Sequence, residues 1–244
     1  MKRIKLDAIE STNTFLKDLV AHTRLEEPTV VTAEMQTKGR GQVGATWESE
    51  PSKNLLFSVF LVPDELLFKE AFFLSYAVSL ALHSTLATYP IAKLSVKWPN
   101  DILSGSSKLG GILIENSFRA GTLKHSIIGV GLNVNQVEFS PSLPNASSLK
   151  TILGTDVDRE ALLQSLLENI QTQVRNCRPE NFEKIKENYT SLLYKQGIPS
   201  MFKEPSGNVF IGKIVGVSSV GNLQIELENE SIRKFGLKEV ELIK

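Results

Sequence analysis

The sequence is poor in the residue types that build metal centres and covalent frameworks. One cysteine, Cys177, stands in 244 residues, which excludes an intrachain disulfide framework and a thiolate-rich metal site. The three histidines, His22, His83 and His125, lie far apart and have no metal-ligand spacing. Neither sign of charge is in excess. The 27 Lys and Arg balance 27 Asp and Glu, so neither a nucleic-acid surface nor a polybasic membrane anchor is expected. The longest apolar run, Ala71 to Leu82, is broken by Ser75, Tyr76 and Ser79 and falls short of the ~20 residues a membrane span needs. The first residues, MKRIKLDAIE, read as a strand and lack the apolar core of a signal peptide. Repeats and low-complexity tracts are absent, and no helix-turn-helix precedes the first strand. The expectation is a cytoplasmic, soluble chain, long enough for one large domain or a large one with a small one.

Against this ordinary background one stretch stands out. Gln36 to Trp47 reads QTKGRGQVGATW, with Gly39, Gly41 and Gly44 set among Lys38, Arg40 and hydroxyl and amide side chains. No apolar period runs through it, which predicts a loop too flexible to order itself without help. Strand patterns flank it at Thr29–Ala33 and Asn54–Leu61. A basic glycine loop between two strands can fold its N–H groups and its Arg around phosphate oxygens. A solvated hairpin loop explains the same residues, and the loop alone favours that simpler account.

The remaining pattern alternates strands and helices. Arg3 to Ala8 alternates as a half-buried strand, and Ser11 is expected to cap a helix running to about Ala21. Lys69 to about Thr88 is apolar nearly all round, as a buried helix is. Strands are expected at Leu94–Lys97, ending at Pro99, then from Asp101, at Lys108–Glu115 and at His125–Asn135, with turns at Ser104–Ser107 and Arg119–Thr122. Glycine pairs interrupt two of them, Gly110 with Gly111 and Gly129 with Gly131. Glycine inside a strand marks a bulge or the close approach of another body, so a shared floor for a ligand and plain helix-on-sheet packing both fit. Gln136 to Thr155 reads as an irregular connection. Two amphipathic helices follow, capped at Asp158 and begun at Pro179. After about Lys195 the pattern changes to short strands at Ser200–Lys203, Val209–Val217, Leu223–Leu227 and Ile232–Phe235, which predicts a small SH3-like β-barrel.

The ordered set ESTN, QTKGRGQVGATW, KWPND, KLGGILIE and GVGLNVN, followed by a small barrel, resembles the biotin protein ligases over the whole chain. The resemblance implies an α+β fold, a mixed β-sheet flanked by helices of the class II synthetase kind, over residues 1–195, with an SH3-like C-terminal barrel over 196–244. It implies the single-function type, without an N-terminal DNA-binding domain. ATP and biotin are then the substrates, with Mg²⁺ as cofactor. The partner is the biotin carboxyl carrier protein of a biotin-dependent carboxylase, and the chain acts as a monomer or homodimer without nucleic acid or membrane.

The resemblance also implies roles for residues. Ser11, Thr12 and Asn13 would hold biotin's ureido end, with Gln36 at the other end of the pocket and Gly111 and Gly129 as floor. Gly39, Arg40 and Gly41 would belong to the loop that orders over biotin and its adenylate, and Trp47 would close against the adenine. Asn100 and Asp101 would lie near the nucleotide and its Mg²⁺, Lys108 would bridge the biotin carboxylate and the α-phosphate, and Asn133 would lie by the adenine and phosphates. Lys108, Arg40 and Asp101 form the implied catalytic set. Asp101 has three open readings: Mg²⁺ ligand, base or orienter for the incoming lysine, and ion-pair partner of Lys97. Many members carry further arginines after the GRG. Here Gln42, Val43 and Ala45 stand there, which leaves Arg40 as the loop's one guanidinium. Two other accounts share parts of this pattern, a lipoate or octanoate ligase and a non-enzymatic biotin sensor.

Overall fold

The computed structural model describes residues 1–63 and 66–243. Its main sheet has seven strands: β1 (Lys2–Ile9), β2 (Thr29–Gln36), β3 (Leu55–Leu61), β4 (Leu94–Lys97), β5 (Asp101–Ser104), β6 (Ser107–Arg119) and β7 (Thr122–Leu132). They lie in the order β1-β2-β3-β7-β6-β5-β4, with β1 parallel to β2 and every other pair antiparallel. This is the mixed, helix-flanked α+β sheet the sequence predicts.

Strand alternation sends successive side chains to opposite faces. Leu55, Phe57, Val59, Ile128, Val130 and Leu132 face a large apolar core. That core is shared with α2 (Ala71–Leu86), α4 (Arg159–Arg175) and α5 (Phe182–Ser191). The other face carries α1 (Thr12–His22), where Leu16 packs with Val31, Phe60 and Ile127 in a small second cluster. α2 is buried nearly all round, as its composition predicts. Because α1 is short, part of its sheet face remains uncovered by helix, and the candidate site lies there.

Several local expectations need correction. Ser11 sits at the N-cap position of α1 but makes no side-chain cap; the free Thr12 N–H is taken instead by Gln36 Oε1 at 2.8 Å. Pro99 is a turn and not a pause in extended chain, so Lys97 and Asp101 are cross-strand partners. β7 ends at Leu132, where the chain leaves the ladder, and not at Asn135. The connection after it holds a short helix, α3 (Leu149–Leu153), capped by Ser148 and stopped by Gly154 at φ 75°. Pro179 opens a 3-10 turn that leads into α5. Asp158 caps α4 as expected, accepting the Glu160 and Ala161 N–H groups.

The C-terminal strands form a second, antiparallel sheet. They are β8 (Ser200–Lys203), β9 (Val209–Val217), β10 (Leu223–Leu227), β11 (Ile232–Phe235) and β12 (Glu241–Leu242), in the order β11-β10-β9-β8-β12. Among the described residues no ladder joins β11 to β12, so this sheet is open at its edges. Trp98 packs against the core and donates its indole N–H to Gly221 O at 3.0 Å, tying the two sheets together. Among the described residues no helix is long and apolar enough to cross a membrane.

Candidate active site

The site is a cavity of about 220 Å³ on the α1 face of the main sheet. Its floor comes from register. Gly111 pairs with Gly131, and Leu113 with Gly129, which in turn pairs with Ser58 on β3. The glycines on this face are required by what lies on them. A Cβ at Gly131 would sit 2.5 Å from the Trp47 indole, and one at Gly111 would meet the same ring at 3.3 Å. A Cβ at Gly129 would overlap the Asn13 side-chain oxygen. Gly111, Gly129 and Gly131 therefore make a shared floor, while Gly110 falls on the opposite face of the sheet and takes no part in it.

One end of the cavity is a closed hydrogen-bond network. Thr12 donates its N–H and its hydroxyl to Gln36 Oε1, at 2.8 and 3.1 Å, so Gln36 stands at the same end as Thr12 and not at the other, because the parallel β1–β2 register sets it beside the start of α1. Ser58 Oγ lies 2.7 Å from Thr12 Oγ1 and 2.5 Å from Asn13 Oδ1. Asn13 Nδ2 donates to Glu115 Oε2 at 3.0 Å. Ser11, Thr12 and Asn13 are all buried, and such groups are retained only when fully paired or when a ligand completes them.

The other end is charged. Lys108 opens β6 and forms an ion pair with Asp101 at 2.7 Å, its ammonium 5.6 Å from the Trp47 ring centre. Asp101 faces Lys97 across the β4–β5 ladder, yet its carboxylate pairs with Lys108, which overturns the Lys97 reading. Asn100 lines the cavity as well, and its amide donates to Ile112 O, fastening the turn to β6. Asp101 also lines two larger neighbouring clefts, of about 580 and 860 Å³, that run toward the C-terminal sheet.

The glycine stretch lies over this cavity. It is not an unordered loop: it folds on itself as a small hairpin, with Gly41 N–H on Ala45 O, Trp47 N–H on Gly39 O, and a 3-10 turn at Gln42–Gly44. Gly39 lies outside the cavity lining and serves this hairpin, since a Cβ there would overlap the Trp47 carbonyl. Val43 holds a left-handed φ of 48°, and Lys238 from the C-terminal unit donates to its carbonyl at 3.0 Å. Arg40 lines the cavity, and its guanidinium meets both oxygens of Glu115, at 3.1 and 3.3 Å. Burial pushes the Glu115 carboxyl up, but hydrogen bonds from Lys17, Asn13 and Arg40, with the Arg40 charge, outweigh it and hold it below the usual range.

The fold thus brings Ser11, Thr12, Asn13, Gln36, Arg40, Gly41, Trp47, Asn100, Asp101, Lys108, Gly111 and Gly129 to one cavity. Asn133 is not in its lining. It is buried, donates to Ser147 O, and leaves its Oδ1 without a partner. Trp47 Nε1 is likewise buried and unpartnered. Ser58 and Glu115 are functional candidates that sequence reasoning missed. The signal for Ser58 was a lone hydroxyl in the apolar strand LLFSVFL; for Glu115 it was a charge two positions beyond Leu113 and four beyond Gly111 on the same strand face. Among the described residues no group of three or more His, Cys, Asp or Glu could hold a metal ion unaided.

Comparison with known proteins gives this arrangement a lineage. Bifunctional ligase/repressor BirA of Bacillus subtilis is 32% identical over 240 residues, covering 97% of this chain and 72% of that protein. Biotin--[acetyl-CoA-carboxylase] ligase of Mycobacterium tuberculosis is 27% identical over 237 residues, 93% of this chain and 85% of its own length. The solved biotin protein ligase from Aquifex aeolicus, in complex with biotin and ATP, superposes with a TM-score of 0.81 at 29% identity, covering all of this chain and 99% of that one. The model of the biotin/lipoate A/B protein ligase family matches residues 6–133, which hold the floor, the hairpin and both ends of the cavity, and this chain belongs to that family.

Proposed function

We propose that the chain is a biotin protein ligase, specifically a biotin--[acetyl-CoA-carboxylase] ligase: it activates biotin with ATP to biotinyl-5′-AMP and transfers the biotinyl group to a lysine of a carrier protein. The observation that carries this reading is the two-ended cavity. A paired donor–acceptor cluster at Thr12, Asn13 and Gln36 suits a ureido ring, and the Lys108 ammonium suits a carboxylate at the far end.

In the first step the biotin carboxylate oxygen attacks the α-phosphorus of ATP, and the bond to pyrophosphate breaks. An anion meets a polyanion, so the catalytic demand is fixed positive charge and alignment. Lys108 supplies the charge from the start of a rigid strand, and Arg40 supplies it from the hairpin. Trp47, lying on Gly131, closes the product from water, which would hydrolyse the mixed anhydride. In the second step a neutral lysine amine attacks the biotinyl carbonyl, and AMP leaves.

Asp101 lines both the cavity and the wide clefts beside it, so a carrier lysine arriving there meets a carboxylate able to orient it or take its proton. Mg²⁺ fits as an ion that arrives on the ATP phosphates, because Asp101 is a single carboxylate and not a cage. Bound there it would neutralise phosphate charge. Asn133, whose backbone N–H is held by Leu109 O and whose side-chain oxygen has no partner, is kept as a nucleotide contact. Residues 1–195 would be the catalytic unit, and residues 196–244 an accessory unit of the SH3-like kind that reaches the lid through Lys238. A cytoplasmic location follows from the same reading.

The test is ATP–pyrophosphate exchange with Mg²⁺, comparing biotin, lipoate, octanoate and no acid. Exchange with biotin alone is expected. Exchange with lipoate or octanoate instead moves the chain to the lipoate branch of its family, and biotin binding without exchange makes it a sensor.

A further inference from the structure

Both cations assigned to phosphate already have a carboxylate partner, and the two pairs are built differently. Lys108 and Asp101 meet one to one. Arg40 meets Glu115 through both oxygens, and each of those oxygens has a second donor: Lys17 Nζ on Oε1 at 3.0 Å and Asn13 Nδ2 on Oε2 at 3.0 Å. A carboxylate with so many donors can give up one of them without being left as an unpaired, half-buried charge, the situation that makes breaking such pairs costly. Arg40 also needs no loop movement to leave. The hairpin is already closed over the cavity and Arg40 already lines it, so a swing of the guanidinium is enough.

We infer that Glu115 is a holding site for Arg40, and that Lys17, outside the cavity, is the positioning residue that lets Arg40 transfer from Glu115 to the phosphate of the adenylate. Lys17 sits on the half-exposed side of α1 and lines none of the site. It competes with Arg40 for Glu115 Oε1, loosens that pair, and remains on the carboxylate after Arg40 departs. Asn13 does the same on the other oxygen. Occupancy of the pocket that Asn13 helps form is thereby linked, through Glu115, to the residue that retains the activated product. The inference rests on the ligase reading above.

The test measures escape of free biotinyl-5′-AMP from the full-length protein, by its dissociation rate and by indiscriminate labelling of a bystander protein. ATP–pyrophosphate exchange with biotin, run alongside, checks the ligase reading separately; if the unaltered protein shows no exchange, that reading fails first. Lys17→Met removes the competitor, so Arg40 stays longer on Glu115 and escape rises by roughly two- to five-fold, the range of an exposed ion pair, with exchange nearly unchanged. Lys17→Arg restores the original rate. In an Arg40→Gly background, Lys17→Met has no further effect. Glu115→Gln weakens the holding site and moves escape in the opposite direction. Unchanged escape in Lys17→Met, or the same rise with Arg40 absent, overturns the exchange. Increased escape in Glu115→Gln also overturns it, by showing that Glu115 supports Arg40 in its working position and does not hold it back.

Discussion

Trp47 lies flat against Gly131, so closely that a single added carbon would come within 2.5 Å of the indole. The Trp47 ring and the floor are matched surfaces, and the match depends on a missing side chain. Gly131→Ala is therefore expected to lift Trp47 and open the site, at a cost of about 1–3 kcal/mol in adenylate retention, typical of overpacking. Dissociation of biotinyl-5′-AMP, followed by the quenching of Trp47 fluorescence in a Trp98→Phe background, measures it. Retention equal to the parent protein would show that Trp47 is not the lid.

Lys108→Ala is expected to lower biotin-dependent exchange by about 10²–10³-fold, as removal of a preorganised charge does elsewhere. The fold survives, because Lys108 is part-exposed and its partner Asp101 reaches solvent. Exchange kinetics with a circular-dichroism melt check both halves; near-normal exchange would remove Lys108 from the chemistry.

Much of this was readable before the fold was known. Lys108 and Asp101 fall in short motifs whose residue types suit the chemistry, and strand periods put both at the beginnings of strands. What sequence could not state is that Asp101 ignores its ladder neighbour Lys97 and takes Lys108 from β6. Alternation assigns a face, but the choice between two nearby cations depends on side-chain geometry across three strands.

The Glu115 cluster predicts a pH dependence of stability. The folded-state pKa of Glu115 lies below its ordinary value, despite burial, because Lys17, Asn13 and Arg40 favour the carboxylate. Its stabilisation is complete above the unfolded pKa of ~4.3 and is lost as pH falls through the lower folded value. Glu115→Gln is expected to cost about 1 kcal/mol at pH 7, discounted for solvent screening, and far less in strong acid. Urea titrations across that range check it; a difference that stays constant would assign the loss to packing.

Cys177 is predicted to be chemically silent in the native protein. Burial, with the Glu70 charge, pushes its thiol up to about 12, and it is only 2% exposed. A thiol-reactive chromophore at pH 8 is expected to label it only after denaturation. Rapid native labelling would mean that the end of α4 opens readily.

The order of elements and the buried character of α2 follow from local pattern, because side-chain period and turn chemistry act over a few residues; the strand glycines were visible with their role open, and the site residues came from the resemblance of the ordered motifs. Other features needed the folded chain. Gln36, and not Ser11, satisfies the first turn of α1; Ser58 stands beside Gly129; Glu115 receives Arg40; and Lys238 reaches the Val43 carbonyl. Each joins residues far apart in sequence. Strand register and sheet order set these meetings, and no local preference of either partner encodes them.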